Sequence, residues 1–292
     1  MKFELLHPAD QIIMIMQRIY GYGMTTTSGG NLSILDENGD IWITPGSVDK
    51  GSLSRNDIVK VCSDGTIVGA HKPSSEFPFH QLIYKTRPDI RAVLHAHPPA
   101  LVAFSIVRQI PNNALIPDVQ SVCGDIAMAE YALPGSSELG EKIASVFQRG
   151  INTVLLENHG IVVGADNLFN AFMSFETLDF SARLELRARE IGEPISLTKE
   201  QMELAKLKKH PDMDEFIPHR FSSEEREARR KMYELIHRAY DQRLFTSTQG
   251  TFSQRIGKDS FIITPYAVDR KYIEAEDIVK IQGAYKEAGK TP

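Results

Sequence analysis

Cysteine is scarce in this chain, as are long apolar runs and any excess of positive charge. The 292 residues include two cysteines, Cys62 and Cys123, which is too few for a disulfide framework and suits a reducing cytosol. The formal net charge of −5 gives no general attraction to nucleic acid or anionic membranes. The apolar stretch 12–16 is too short to span a bilayer. We therefore expect a cytoplasmic protein with no nucleic-acid and no membrane partner.

The segment 92–98 predicts a strand that ends in two histidines, His95 and His97. Side chains two residues apart share one face of a strand, so both imidazoles could bind one ion, whereas on a helix they would diverge. Alone, the pair is equally well explained by packed or surface histidines. A second β-rich run, 153–160, places His159 at another strand end. Three imidazoles on one ion, with open positions left, are typical of a catalytic zinc site.

A carboxylate precedes these strands, at the predicted start of a helix. Ser74 or Ser75 could cap that helix, and Glu76 in its first turn would suit the helix dipole, which is the purely structural interpretation. His80, four residues later, could line the same site, although packing is the favoured role. No His-Glu-x-x-His motif is present, so a metalloprotease is excluded.

Five motifs occur in a fixed order within the first 200 or so residues. They are Gly29-Gly30-Asn31-Leu32-Ser33, Ile43-Thr44-Pro45, Pro73-Ser74-Ser75-Glu76, His95-Ala96-His97 and Asn158-His159-Gly160. The ordered set resembles the class II aldolase/adducin family, and within it the fuculose-1-phosphate aldolases. The resemblance covers about two thirds of the chain.

The resemblance implies a divalent metal, Zn²⁺ or another, bound by His95, His97 and His159, with Glu76 as general acid/base. It implies a lyase that cleaves or forms a ketose 1-phosphate from dihydroxyacetone phosphate and a short aldehyde. Breaking a carbon–carbon bond beside a ketone leaves an enediolate, whose negative charge a zinc ion would stabilise as a Lewis acid. A neighbouring carboxylate can carry the proton.

The resemblance also implies a small-molecule partner, a sugar phosphate bound by backbone amides and hydroxyls. The residues carried over are Ser28, Gly30, Asn31, Gly46, Ser47, Ser74 and Ser75. Glycines let the backbone approach an anion, and successive amide groups form a nest for it. An ordinary turn is the alternative interpretation of the glycine-rich segment.

Two positions depart from the family pattern. The family loop reads Thr-Pro-Ser-Gly or Thr-Pro-Thr-Gly, whereas this chain has Thr44-Pro45-Gly46-Ser47, and segment 116–124 lacks the tyrosine that family aldolases use in a neighbouring subunit's site. Whether the substrate is phosphorylated therefore stays open. A dehydratase, decarboxylase or epimerase of the same family, and a non-catalytic adducin-like binding module, stay open as alternatives.

Helices mixed with short, turn-linked strands predict a three-layer α/β/α fold with a largely antiparallel central sheet, as the resemblance also implies. We expect a catalytic domain over 1–200, a linker with some helix over 201–221, and a partial second unit over 222–292. The second unit repeats the first at an offset of 220 residues: Gly30, Ser33 and Thr44-Pro45 match Gly250, Ser253 and Thr264-Pro265.

Within this repeat Thr251 stands where Asn31 stands in the first unit, and the repeated segment ends before any counterpart of Glu76 or the three histidines. We therefore expect the second unit to lack catalytic residues, either because it is truncated, which is the favoured interpretation, or because it persists as a structural appendage. By family analogy we expect a homo-oligomer, a tetramer.

Overall fold

The computed structural model describes residues 2–207 and 212–292. The chain divides into two compact units, Lys2–Glu203 and Leu204–Pro292, and each has its own sheet and apolar core. Within the described residues, every helix is too short or too polar to cross a bilayer.

The first unit contains a sheet of eight strands with helices on both faces. Its strands are β1 Asn31–Leu35, β2 Ile41–Ile43, β3 Val59–Val61, β4 Ile67–Val68, β5 Ala92–Ala96, β6 Ile126–Ala129, β7 Thr153–Leu156 and β8 Gly160–Ala165. Its helices are α1 Pro8–Gly21, α2 Phe77–Thr86, α3 Pro99–Ile106, α4 Pro117–Cys123, α5 Ser137–Gln148, α6 Leu168–Ile191 and α7 Lys199–Lys206, the last of which continues past residue 203.

The strand order of this sheet is β4-β3-β2-β1-β5-β8-β7-β6, and only the β6–β7 pair is parallel. Alternation along β5 sends Leu94 to a core shared with α1, α3, α4 and α6, and Val93 to a core shared with α2 and α5. The predicted three-layer α/β/α fold with a largely antiparallel sheet is confirmed.

The segment between β5 and α5 contains two helices and a strand, although its sequence is rich in proline and asparagine. Helices α3 and α4 each begin at a proline, where the ring presets the backbone and the missing N–H costs nothing. Strand β6 follows, at the edge of the sheet. The composition of this segment, rich in proline and asparagine, predicts a loop, and that prediction is wrong because two of the prolines start helices.

The second unit contains one long helix and a five-stranded sheet. Its elements are β9 Asp214–Phe216, α8 Ser223–Asp241, β10 Ser253–Arg255, β11 Ser260–Ile263, β12 Val279–Gln282 and β13 Tyr285–Glu287, in the sheet order β10-β11-β12-β13-β9. The Ser222 side chain accepts the Glu225 N–H and caps α8, as the sequence predicts.

The predicted linker is more ordered than its composition suggests. It contains the end of α7 and the whole of β9, which pairs in parallel with β13. The strand was missed because its sequence, Asp214-Glu215-Phe216, is mostly charged and its residues are largely exposed. Residues 208–211 of the predicted linker lie outside the described residues.

The offset of 220 residues holds at the level of single hydrogen bonds. The Thr44 hydroxyl accepts the Leu32 N–H at 3.2 Å, and the Thr264 hydroxyl accepts the Phe252 N–H at 3.2 Å. The strand registers also correspond, because Ser33 lies opposite Ile43 and the pair 220 residues later does the same. Residues 223–292 therefore repeat the local structure of the start of the first unit.

In each unit a buried, basic side chain holds the corresponding loop. The Lys50 ammonium donates to the carbonyls of Pro45 and Val48 at 2.8 and 3.1 Å. Arg270 takes the equivalent place and donates to the carbonyls five and two residues before it, at 3.0 and 2.9 Å. The two loops thus share one internal brace.

Candidate metal centre and active site

Two neighbouring strands bring the three predicted histidines together. His95 lies in β5, and His97 follows directly after its end. Strand β8 pairs with β5, so the β7–β8 turn, which contains His159, lies beside this end of β5. Asn158 takes a left-handed conformation, φ 55°, which asparagine tolerates better than most residues and which closes the turn.

The three imidazoles converge on one point. The Nε2 atoms of His95 and His97 are 3.0 Å apart, and the rings of His95 and His159 are 4.8 Å apart between centroids. One nitrogen from each ring lies within 4.8 Å of the others, a spacing that permits a common ion. The described residues contain a single group of this kind.

Glu76 lies beside the cluster, at the N-cap position of α2. Its Oε2 is 3.2 Å from His95 Nε2, and its Oε1 is 3.6 Å from His159 Nε2. Neither Ser74 nor Ser75 caps the helix from the N-cap position; instead the Ser74 hydroxyl accepts the Glu76 N–H at 3.3 Å. This turn aims the carboxylate at the imidazoles.

The electrostatics of the cluster favour a positive charge next to Glu76. Burial opposes ionisation of Glu76, but the charge of His95 and hydrogen bonds from His95 and Asn31 outweigh it and hold the carboxyl pKa far below its usual range. Burial likewise disfavours the His95 cation, yet the Glu76 carboxylate raises the pKa of His95.

The other two imidazoles are held neutral. Burial, with the charge of His95, lowers the pKa of His97 to about 3 and that of His159 to about 4. Neutral imidazole is the form that binds a metal ion.

The donor set fits a divalent cation. His95 Nδ1 lies 2.9 Å from the Ile161 carbonyl and donates to it, so its Nε2 faces the cluster, an orientation that carbonyls commonly impose on metal-binding histidines. Glu76 Oε1 and His159 Nδ1 are buried and have no hydrogen-bond partner. Three imidazole nitrogens beside a partly unsatisfied carboxylate match the ligand types of catalytic zinc.

Glycines let the surrounding turns pack against the histidines. A Cβ at Gly160 would lie 2.5 Å from the Ala96 carbonyl oxygen and 2.7 Å from a His97 ring carbon. Gly30 has φ +74°, and a Cβ there would lie 2.9 Å from the His95 carbonyl oxygen. Both positions require glycine, which explains why the motifs contain them.

The structure also brings together the three loops that carry the predicted phosphate ligands. The Lys50 N–H donates to the Thr27 carbonyl at 2.8 Å, which joins loop 44–50 to loop 25–30. The Gly46 N–H donates to the Lys72 carbonyl at 3.1 Å, which joins the loop before α2. On these loops Ser28, Ser47 and Ser75 are exposed, Gly46 is half-buried, and Gly30 and Ser74 are buried.

Asn31 has a different setting from the other predicted phosphate ligands. Its side chain is buried in β1, where the amide donates to Glu76 Oε2 at 2.8 Å. The side-chain oxygen contacts His80 Nε2. This side chain is therefore engaged with Glu76, whereas the other six predicted ligands are on the loops.

Sequence reasoning missed a buried polar row behind Glu76. His80 Nδ1 lies 2.7 Å from the Ser33 hydroxyl, which is 2.6 Å from the Tyr84 hydroxyl. A signal was present: Glu76, His80 and Tyr84 are spaced four apart, on one face of α2.

Comparison with known proteins identifies relatives of this chain. Its sequence is similar to 5-deoxy-D-ribulose 1-phosphate aldolase from Bacillus thuringiensis serovar kurstaki, 32% identical over 66% of this chain and 91% of the relative. It is also similar to 3-oxo-tetronate 4-phosphate decarboxylase from Haemophilus influenzae, 30% identical over 60% and 85%. Among solved structures, an L-fuculose 1-phosphate aldolase matches with a TM-score of 0.61 and 35% identity, over 68% of this chain and 93% of that one.

The profile of the Class II Aldolase and Adducin N-terminal domain family matches residues 10–186 and, a second time, residues 230–291. The two matched segments correspond to the two units of the structure. The predicted resemblance is thereby confirmed, and the chain belongs to the class II aldolase and adducin family.

Proposed function

We propose that this chain is a divalent-metal-dependent lyase that cleaves or forms a ketose 1-phosphate, with dihydroxyacetone phosphate and a short aldehyde as the products of cleavage. The observation that carries the proposal is the ionised Glu76 carboxylate, 3.2 Å from His95 Nε2 and 3.6 Å from His159 Nε2. The proposed base, Glu76, thus lies directly beside two of the candidate metal ligands. The aldolase relatives named above support the same reaction class.

His95, His97 and His159 would hold the cation, for which we propose zinc because imidazole nitrogens suit it. When bound, the cation would polarise the ketone and stabilise the negative charge left as the carbon–carbon bond breaks.

Glu76 would carry the proton. In the direction of bond formation its carboxylate takes a proton from the carbon beside the ketone of dihydroxyacetone phosphate, and in cleavage it returns that proton. The low pKa of the carboxyl keeps it ionised, and therefore able to accept a proton, at neutral pH. Its unpartnered Oε1 is the oxygen available for this step.

The three joined loops would bind the phosphate. We propose contacts from Ser28, Gly30, Asn31, Gly46, Ser47, Ser74 and Ser75, among which the exposed serine hydroxyls can donate to an anion. The Asn31 side-chain amide donates to Glu76, so Asn31 would hold the carboxylate in place as well as contact the substrate.

A decarboxylase is the second candidate, favoured by the similarity to 3-oxo-tetronate 4-phosphate decarboxylase. Loss of carbon dioxide from a 3-oxo acid leaves the same negative charge beside a ketone, so the same cluster would serve. The products separate the two reactions: an aldehyde in one case and carbon dioxide in the other.

The remaining proposals concern the setting of the enzyme. We assign the chemistry to the first unit, because Thr251 replaces Asn31 in the second and the described histidine cluster lies in the first. Two free cysteines fit a reducing cytoplasm. The family resemblance supports a homo-oligomer.

The first test is elemental analysis of the purified protein beside its His95→Ala variant, followed by assays with dihydroxyacetone phosphate and a panel of short aldehydes. We expect one divalent ion per chain in the wild type and its loss, with turnover, in His95→Ala. His219→Ala, an exposed histidine outside the cluster, is the matched control and should keep both. Absence of metal in the wild type after incubation with zinc would refute the proposal and favour a binding module.

A further inference from the structure

A continuous row of polar side chains runs through the buried interface between α2 and β1. It passes from Tyr84 through Ser33, His80 and Asn31 to Glu76, with contacts of 2.6, 2.7, 2.5 and 2.8 Å in that order. All five side chains are buried, and His80 and Ser33 have no exposed surface. Such a row is stable only when each member has a partner.

Hydrogen-bond chemistry fixes the direction of the row. The Asn31 side-chain nitrogen lies 2.8 Å from Glu76 Oε2 and donates to it, which leaves the Asn31 oxygen facing His80. His80 must then carry its proton on Nε2 and donate to Asn31. Its Nδ1 accepts from the Ser33 hydroxyl, which in turn accepts from Tyr84.

We propose that His80 is a positioning residue: by holding the Asn31 oxygen, it forces the Asn31 amide to donate to Oε2 of Glu76 and leaves Oε1 as the oxygen that exchanges the substrate proton. This inference rests on the proposed function of Glu76. The two oxygens of the Glu76 carboxylate differ in their surroundings. Oε2 accepts a hydrogen bond from Asn31, whereas Oε1 has no hydrogen-bond partner and lies toward His159.

A packing role alone does not account for His80. Its ring stacks on Phe79 with centroids 4.5 Å apart, and any ring of similar size could do that. Both ring nitrogens, however, make short contacts, to Asn31 and to Ser33. An apolar ring here would leave the Asn31 oxygen buried without a donor, and the Asn31 side chain would then be free to swing away from Glu76 Oε2 toward another donor.

Two isosteric substitutions separate the two ring nitrogens. The terminal amide of His80→Gln reaches the place of Nε2 and can donate to Asn31, whereas the shorter His80→Asn reaches the place of Nδ1 and can serve Ser33 alone. His80→Phe keeps the stacking on Phe79 and serves neither. We expect kcat within about fivefold of wild type for the first variant and a loss of about 100-fold for the other two, as for a misplaced catalytic group. KM should change less than kcat in all three, because His80 contacts Asn31, whereas the other six proposed phosphate ligands lie on the loops.

The controls are metal content and thermal stability, which we expect to be similar in His80→Gln and His80→Asn. Equal kcat in all three variants, or losses that follow the melting temperature, would overturn the inference. If the wild type turns over neither aldehyde donors nor 3-oxo acids, the proposed function fails instead.

A second readout does not depend on turnover. In protein with ¹⁵N-labelled histidine, His80 should show the neutral tautomer with its proton on Nε2. A proton on Nδ1 would reverse the direction of the row and overturn the inference by itself.

Discussion

At the scale of single residues, the geometry of the site requires a glycine, which has no side chain, as well as the imidazoles. Gly160 follows His159 and packs directly on the backbone of Ala96 and the ring of His97. No other residue type fits without movement of one of these groups. The glycine of this motif is thus part of the histidine cluster, although it has no side chain that could bind an ion.

Gly160→Ala should weaken metal binding without removing any ligand. Its Cβ would meet the Ala96 carbonyl at 2.5 Å, and backbone cannot give way as a flexible side chain can. We expect a cost of about 1–3 kcal/mol in unfolding free energy and at least about tenfold weaker zinc binding, as for an overpacked core. Zinc titration with a competing chelator measures the second effect.

Gly192→Ala is the matched control, because a Cβ there meets nothing within 4 Å and the backbone is extended. It should leave the zinc affinity unchanged. Unaltered affinity in Gly160→Ala would show that His97 has room that the structure does not indicate.

The proximity of His95 and His97 could be predicted from the sequence, because strand periodicity alone places them on one side. The role of Asn31 could not. Its contacts with Glu76 and His80 span 45 and 49 residues, and only the packing of α2 on β1 brings these groups together. Contacts of that separation leave no local signal in the chain.

At the scale of elements, hydrophobic periodicity together with turn and cap residues allows element boundaries to be predicted from the sequence. The sequence predicts a strand over 31–35 and a helix over 137–148, and β1 and α5 have those bounds, since turns and a capping serine mark them. The misses include α3, α4, β6 and β9, which are short elements of 8, 7, 4 and 3 residues; α3 is mostly apolar, α4 is mixed and β9 is mostly charged. In such elements tertiary packing, rather than pattern, decides the structure.

The brace in loop 44–50 yields a prediction at this scale. Lys50→Met would leave the buried carbonyls of Pro45 and Val48 without a donor, at a cost of about 1–3 kcal/mol. Because this loop carries Gly46 and Ser47, we expect KM for a phosphorylated substrate to rise about tenfold, which corresponds to about 1.4 kcal/mol. Steady-state kinetics with dihydroxyacetone phosphate measure the change.

Arg270→Met makes the same change in the matching loop of the second unit. It should lower stability and leave KM unaltered. If both variants raise KM equally, the effect is one of general stability rather than of the phosphate loop.

At the scale of the whole molecule, buried histidines link the stability of the first unit to pH. His80 has no exposed surface, and burial, with the charge of His95, lowers its pKa to about 3. In the unfolded chain its pKa is about 6.5. Below that value the unfolded state binds more protons than the folded one, so stability falls as pH falls toward 3.

We expect His80 to contribute about 2 kcal/mol to the loss of unfolding free energy between pH 7 and pH 5. Urea unfolding in the presence of chelator, followed through the single tryptophan, Trp42 in β2, reports on the first unit. His80→Gln should reduce the pH dependence by that amount. An unchanged slope would mean that the ring is protonated in the folded state.

The two units share one turn, and its two versions separate the residues that hold the turn from the residue that contacts Glu76. Gly250 keeps the left-handed backbone of Gly30, at φ +79° and +74°, and Thr264 keeps the bond made by Thr44. Thr251 stands where Asn31 stands in the first unit. The glycine and threonine that both units keep hold the turn, whereas the asparagine that contacts the Glu76 carboxylate is replaced. The turn therefore forms without the side chain that reaches the carboxylate, so its folding does not depend on that contact.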